Sequence, residues 1–468
     1  MKKKLVVLAA MAMMAILPFS CGKTEPDPVN PDPGTDPDPE QPELVDLKGS
    51  VPITGNWVYQ DKPAFTIHVE NPNAVKVNAT ARVRISTDKG KNVATIEKEV
   101  EVPANGSIDV ALTTDEKLDP GFYKASCLVN GRTARRFNFG INPTDIVSAP
   151  DKQPDFDQFW ADAKAQLAAI DMKANLIELP KKSNAKSKVY MVELQSVPDG
   201  LEGDPVTVRG YYLEPQDGKK HPVIMHFYGY DTRGTTVYCP SGNDGEYAEF
   251  YLSHRGQYIN RAPANKRGDG LDMDFTDNYG DWFAFQFGDK DGYYYRGAFM
   301  DCVQAVRFMA TRETSDMKNL FGEGSSQGGA LSYATAALSD YPFAAIAPCV
   351  AFLGDFPDYF SIVDWPANTA RNAWKKYVAD HPGLTEHDMF VFLSYFDTKN
   401  LATRISCPVI ASSNLQDGTC PSHTNMAPFN NLLTPADQKE IHFYPDLQHV
   451  IPSDWPAKTS AFFKAHTR

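Results

Sequence analysis

The stretch FGEGSSQGGA (Phe321–Ala330) constrains this 468-residue chain more than any other, because it reads as a sharp turn between a strand and a helix. A serine displayed on such a turn needs glycine two places before it and two places after it, where neighbouring backbones crowd. Ser326 has Gly324 and Gly328 at those places; Ser325 would need glycine where Glu323 and Gln327 stand. Ser326 is therefore the candidate nucleophile, and Ser325 a small neighbour within the turn. A turn of this kind sits at the carboxyl end of a strand in an α/β sheet, where functional groups gather.

The surrounding chain fits that architecture. From about Asp145 onward helical and strand patterns alternate. PDFDQFWADAKAQLAAI places Phe156, Phe159, Trp160, Ala163, Leu167 and Ile170 on one helical stripe after Pro154. HPVIMHFYGY reads as a buried strand ending in a glycine turn, and CPVIASSNLQDG and KEIHFYPDLQH as two more strands, each followed by a polar loop. The alternation implies a parallel sheet covered on both faces.

A serine hydroxyl needs a base to take its proton and a third group to hold that base in one tautomer. In this type of fold the chain order is Ser, then Asp or Glu, then His. Asp417 follows the strand PVIASSNL and His449 follows the strand EIHFYP, so both the order and the strand-end contexts fit. The competitors are weaker: His442 alternates within a strand, His423 precedes the last strand, and Asp446 and Asp397 lack so clear a strand end. Oxyanion donors are expected from the backbone N–H of Gln327, the residue after the nucleophile, and from the loop after VIMHFYGY.

The first part of the chain is organised differently. MKKKLVVLAAMAMMAILPFSCG has a basic start, an apolar run too short to span a bilayer and small residues before Cys21, which marks residues 1–20 as an export leader. A cysteine there resembles a bacterial lipobox, with Leu17 one place farther from it than usual and Pro18 in its stead. Lipidated Cys21 would anchor the protein to the outer membrane, on its periplasmic or surface face, without spanning it. Residues 21–43 alternate proline with acids and read as a solvated tether, about 60 Å long from Thr24 to Glu43 at the polyproline rise. Residues 44–142 carry short alternating runs such as AFTIHVEN and ATARVRIST, the pattern of a small β-sandwich. Tyr123, two places after Gly121, resembles an immunoglobulin-type tyrosine corner, with Ala125 where many such domains place a cysteine. A structural spacer is the expected role of this region, with carbohydrate binding as the alternative.

Charge and cysteines narrow the function. The formal net charge is −13, and loss of Lys2, Lys3 and Lys4 with the leader takes it to −16, which disfavours nucleic acid as a partner. The six cysteines after Cys21 are scattered without a CxxC, so neither a disulfide framework nor a zinc site is expected. DKDG (Asp289–Gly292) lacks the later glycine and glutamate of a calcium loop, and the tyrosines of GYYYRG are expected beneath a loop rather than as a sugar platform.

With these residues in place, the chain from about Ala149 to its end resembles the acetyl xylan esterase and cephalosporin C deacetylase family of α/β-hydrolases. The resemblance is carried by FDQFW, FYGYD, HRGQ (His254–Gln257), DKDGYYYRGAFMDCVQAVRF, GSSQGG, LSYFDTKNLATRISCPV, LQDGTCP and QHVIP. It implies an α/β-hydrolase domain over residues 143–468, with Ser326 as nucleophile, Asp417 as acid, His449 as base, and the N–H groups of Tyr230 and Gln327 as oxyanion hole. It implies no metal or organic cofactor, an acetylated oligosaccharide or polysaccharide as substrate, and often hexameric assembly, which the added sandwich and tether leave open. The chain departs from the family at Tyr228, where His is common, at Ser325, where Gly is usual, and at Gln448-His449-Val450 in place of G-H-E. These departures bear on substrate more than on reaction class. Esters of other acyl groups, and a glycan-binding lipoprotein without activity, are the alternatives.

Overall fold

The computed structural model describes residues 44–230, 236–259 and 279–468. The leader, Cys21 and the tether lie outside the described residues. Asp46–Arg468 form one compact unit.

Two small sheets come first. One has the strand order β2-β8-β7-β4-β5 and the other β1-β3-β6, formed by β1 (Lys48–Ser50), β2 (Val58–Tyr59), β3 (Ala64–Asn71), β4 (Val77–Thr87), β5 (Asn92–Val102), β6 (Gly106–Thr113), β7 (Gly121–Val129) and β8 (Arg132–Ile141). Strict alternation decides their inner faces. Phe65, Ile67 and Val69 of β3 and Ala81, Val83 and Ile85 of β4 are all buried in one cluster. The Tyr123 O–H donates to the Asp119 carbonyl (2.8 Å), and Cys127 is a free, buried thiol.

The rest of the unit is built on a nine-stranded sheet. Its strands are β9 (Asn175–Glu178), β10 (Ser187–Ser196), β11 (Val206–Pro215), β12 (His221–Phe227), β14 (Ala248–Ser253), β16 (Ser315–Ser325), β17 (Ala345–Cys349), β18 (Val409–Asn414) and β19 (Lys439–Tyr444); the short β13 (Thr236–Val237) and β15 (Tyr258–Ile259) pair with each other. The order is β19-β18-β17-β16-β12-β14-β11-β10-β9. From β14 to β19 neighbours run parallel, while β9, β10 and β11 pair antiparallel. The expected wholly parallel sheet is thus mixed. The reason lies in the connections: β10 and β11 are joined by a short loop, which can close only a hairpin, whereas a parallel neighbour needs a crossover.

Helices cover both faces: α1 (Phe156–Ala169), α2 (Tyr294–Ala310), α3 (Gln327–Leu338), α4 (Phe356–Ile362), α5 (Asp364–Asp380), α6 (Glu386–Ser394), α7 (Thr398–Ala402), α8 (Ser422–Asn430) and α9 (Trp455–Ala465). In α1 the stripe from Phe156 to Leu167 is buried as expected; Ile170 instead ends the helix in extended backbone. α2 and α3 are buried nearly all round, as central helices must be to tolerate so little polar surface. Their burial fixes α3, and with it the turn at Ser326, against the middle of the sheet.

Candidate active site

Ser326 links β16 to α3 with φ 59° and ψ −122°, a backbone state a non-glycine residue holds only under constraint. The constraint is visible in its neighbours. A Cβ on Gly328 would lie 2.2 Å from the Phe227 carbonyl oxygen, and one on Gly324 would lie 2.5 Å from the Gly328 carbonyl carbon and oxygen. No side chain fits at either position, which is the physical content of the glycine spacing. The Ser326 N–H donates to Cys349 O (2.9 Å), and Ser326 O accepts from Phe352 N (3.0 Å). These bonds pin the strained residue between β17 and the chain that follows it.

The structure brings the three sequence-predicted side chains together. Ser326 Oγ lies 3.0 Å from His449 Nε2, and His449 Nδ1 lies 2.7 Å from Asp417 Oδ2. Asp417 is buried, and its other oxygen accepts from the N–H groups of Thr419 and Cys420 at 2.8 Å each. One carboxylate oxygen is thus held by the turn and the other left for the imidazole. Asn414, at the end of β18, donates through Nδ2 to Gln448 O (2.7 Å) and Val450 O (2.8 Å), clamping the loop on both sides of His449. That clamp escaped the sequence reading, since an asparagine at a strand end carries no motif.

The competitors stand elsewhere. Asp446 ion-pairs with Arg135, and His442 lies 3.4 Å from Glu440. Asp397 caps α7 and accepts from Asp355 N and Phe356 N, and burial pushes its carboxyl up to about 7. His423 joins Asp355 and Asp358, a trio close enough to ligate a metal ion. Their charge is already matched: Lys399 Nζ is 2.9 Å from Asp355, and Lys89 Nζ is 2.5 Å from Asp358. Burial opposes a charge on His423, but its hydrogen bonds to the two carboxylates outweigh that and raise it to about 9, so both ring nitrogens carry protons rather than free lone pairs.

The loop after β12 lies against the turn: a Cβ on Gly229 would sit 3.8 Å from Ser326 Cβ. The Gln327 N–H belongs to the first turn of α3, which leaves it without an intrahelical acceptor. The Tyr230 ring packs on Trp282 and Trp365, and its O–H donates to Asp281 (2.5 Å).

Beneath Gln327 runs a polar chain that gives the HRGQ and YYYRG segments their purpose. Gln327 Nε2–H donates to His254 Nε2 (2.9 Å), Tyr295 O–H donates to Gln327 Oε1 (2.8 Å), and His254 Nδ1 lies 2.9 Å from the Tyr294 oxygen. Burial lowers His254 to about 4, keeping it the neutral acceptor this chain requires. Next to it Arg255 bonds Asp301 through Nε (2.9 Å) and Nη2 (2.7 Å) and Asp199 through Nη1 (2.7 Å). A Cβ on Gly297 would lie 2.1 Å from that guanidinium, so the glycine of YYYRG makes room for the arginine of HRGQ. Tyr293, Tyr294 and Tyr295 are all buried, as expected of tyrosines under a loop.

Behind Ser325 lies a cavity of about 250 Å³, lined among others by His226, Tyr228, Glu323 and Trp455. His226 lies between Glu249 and Glu323, 2.9 Å from each, with Tyr251 stacked on its ring. Burial alone would discharge it, yet the two carboxylates hold its value up to about 9, while Glu249 is held down to about 2 against its own burial by His226.

A mixed α/β sheet with a serine on a sharp strand-to-helix turn is a hydrolase architecture, and the protein is a carboxylic ester hydrolase. Residues 146–467 match the family model described as acetyl xylan esterase (AXE1), and the chain belongs to that family. It is 22% identical over 414 residues to an acetyl esterase, Axe7A, of Xylanibacter ruminicola, covering 86% of this chain and 87% of that protein. That match is longer than the family match and so reaches into the N-terminal sheets. Among solved structures, an acetyl xylan esterase from a Paenibacillus species matches with TM-score 0.57 and 26% identity over 69% of this chain and 98% of its own. Acetyl xylan esterase 1 from a Thermoanaerobacterium species shares the fold with TM-score 0.55 and 23% identity over 70% of this chain and 98% of its own.

Two outcomes are expected. Gly328→Ala will destabilise the fold by about 2–3 kcal/mol, because the new methyl meets a main-chain carbonyl that cannot swing aside; urea unfolding measures it. His226, raised from 6.5 to about 9, contributes stability that is complete below pH 6.5 and is lost as pH rises through about 9. Melting temperature will therefore fall over that window, and His226→Gln will flatten the fall by an amount equivalent to at most about 3 kcal/mol. His423 supplies a parallel loss that the substitution leaves in place.

Proposed function

We propose that this chain is an exported, lipid-anchored serine esterase that removes acetyl groups from acetylated xylan or xylo-oligosaccharides. The observation that carries the chemistry is the unbroken hydrogen-bonded line from Ser326 Oγ to His449 to Asp417, ending in a carboxylate fixed by two backbone N–H groups. Family membership and the names of the relatives support the substrate class.

The steps follow from the groups present. Ser326 Oγ attacks the acetyl carbonyl carbon while His449 Nε2 takes its proton. Asp417 holds the imidazole with Nδ1–H directed at itself and stabilises the imidazolium. The oxygen of the tetrahedral intermediate is met by the N–H groups of Tyr230 and Gln327. Collapse expels the sugar hydroxyl, protonated by His449, and leaves acetyl-Ser326. Water, deprotonated by His449, then releases acetate by the reverse sequence. The His254–Gln327–Tyr295 chain holds the oxyanion side rigid, so its donors need no reorganisation when charge develops.

The leader, the lipidation cysteine Cys21 and the Pro/Asp tether of residues 21–43 make up the export part of this reading. Among the described residues no helix is long and apolar enough to cross a membrane. Residues 44–142 we read as a separate immunoglobulin-like sandwich ahead of the esterase domain at 143–468, supported by its two packed sheets and the Tyr123–Asp119 corner.

The test is acetate release from acetylated xylo-oligosaccharides by the protein and by Ser326→Ala. The variant is expected to lose at least about 10⁴-fold in kcat, the scale set by removal of a triad nucleophile. Equal rates in the two proteins would remove Ser326 from the mechanism. Cleavage of aryl acetates without cleavage of acetylated xylo-oligosaccharides would instead move the substrate to another acyl ester.

A further inference from the structure

The five-stranded N-terminal sheet turns toward solvent a face whose charges are unlike those around it. In the register of β4, β7 and β8, Arg84 stands opposite Ser126, which stands opposite Arg136; one step along, Ser86, Lys124 and Asn138 form the next row. All these positions share one face of the sheet. Arg84, Lys124 and Arg136 are exposed, and among the described residues none has an acidic or hydrogen-bonding partner for its side chain. The other arginines of these sheets are all matched: Arg82 with Glu97, Arg132 with Asp46 and Arg135 with Asp446. Three unmatched cations side by side in a chain of net charge −13 form a site for an anion to fill.

Shape says which anion. The three cations line a groove of about 480 Å³ with Ser86, Ser126, Asn138 and Gln416. The groove shares Lys124 and Asn138 with a second cavity of about 380 Å³, whose lining includes Asp88, Asp364, Trp365, Asp417 and Gly418. Trp365 packs on Tyr230 and stacks on Phe352, the residue whose N–H bonds the Ser326 carbonyl. The two cavities therefore adjoin at Lys124 and Asn138, giving a surface that runs from the cationic face of the N-terminal sheet to the loop of Asp417. It mixes aromatic faces with hydroxyl, amide and charged groups, as recognition of a sugar chain requires.

We propose that this depression binds a sugar chain bearing carboxylate branches, a uronate-substituted xylan, with the uronate on Arg84, Arg136 and Lys124 while an acetyl group on a nearby residue of the same chain lies at Ser326. The proposal rests on the esterase reading above and extends it to substrate choice. The N-terminal sheet is then part of the substrate site, and not only the spacer expected from its sequence. Arginine suits this role because its fork can meet both carboxylate oxygens at once. A flat anionic membrane surface would use the same charges, but it has no use for a concave path that ends at Asp417.

The experiment compares kcat/KM for acetylated xylo-oligosaccharides of equal length with and without a uronic acid branch. It uses the full chain, Arg84→Gln/Arg136→Gln and Arg84→Lys/Arg136→Lys, with the neutral oligosaccharide as each protein's own reference. The native protein is expected to favour the acidic substrate about tenfold at low ionic strength, and the preference should shrink in about 0.5 M salt. The glutamine pair should reduce it to about twofold or less, and the lysine pair should keep part of it, which a folding defect would not do. Binding of an unacetylated uronate-bearing oligosaccharide to Ser326→Ala, weakened by the glutamine pair, would support the groove even if acetylated xylan proved a poor substrate. Equal rates on the two oligosaccharides in the native protein, or a preference indifferent to both arginines, would overturn the proposal. So would binding to phosphatidylglycerol vesicles that the glutamine pair abolishes while the oligosaccharide preference stays intact.

Discussion

The approach of the end of β12 to the turn at Ser326 is the contact on which the rest of the site depends. The Phe227 carbonyl lies so close to Gly328 that no methyl could stand between them. That closeness leaves room for glycine alone at positions 324 and 328, beside a Ser326 held at positive φ and with Gly229 packed against the serine. A looser turn would relax the serine into ordinary backbone and withdraw it into the sheet. Strain of about 1–3 kcal/mol at one residue is sustainable because the buried helices α2 and α3 hold both sides of the turn in place.

Holding that turn is also the function of the buried polar groups behind it. Arg255 with Asp301 and Asp199, and His254 with Gln327 and two tyrosines, are costly to take out of water, and an apolar replacement of equal volume would serve stability as well or better. What they supply is direction. A hydrophobic core tolerates small rotations of α3, but Gln327 has one orientation in which its amide reaches both His254 and Tyr295. A rotated helix would leave two buried polar groups unmatched, a penalty of about 1–3 kcal/mol each. The network thus holds the start of α3 in a single geometry.

The legible part of this protein was its local chemistry. Ser326 could be chosen over Ser325 from glycine positions alone, because steric exclusion at Gly324 and Gly328 is a property of sequence spacing. Asp417 and His449 are candidates because strand ends and chain order are visible in hydrophobic patterning, and the structure sets both in a hydrogen-bonded line with Ser326. Pairings among distant segments were not legible. The antiparallel edge formed by β9, β10 and β11 follows from loop lengths that the search for alternating helices and strands overlooked. Asn414, His226 with its two glutamates, and the Arg255 network are single polar residues whose partners lie between 23 and 97 positions away, so no short window of sequence contains the reason for them.

The N-terminal sheets illustrate the same limit at the scale of a domain. Their alternation marked them as a separate sandwich and suggested a spacer, yet their edge is bonded to both loops that complete the site. Asn138 of β8 exchanges hydrogen bonds with Gln416: its N–H donates to Gln416 Oε1 (2.9 Å), and its carbonyl accepts from Gln416 Nε2 (3.0 Å). Asn138 Nδ2 also donates to Leu415 O (2.8 Å), and Gln416 N donates to Leu447 O (3.1 Å), joining the loop of Asp417 to the loop of His449. Arg135 adds an ion pair to Asp446 in the same loop as the histidine. Loops at the end of a sheet are ordinarily its most mobile parts. Here the loops of Asp417 and His449 share a third support, so a distance such as the 2.7 Å between the two side chains is set by two elements at once. The same β7 and β8 rows that reach Gln416 carry the cations of the groove, so the support of these two loops and the charged face belong to one piece of sheet.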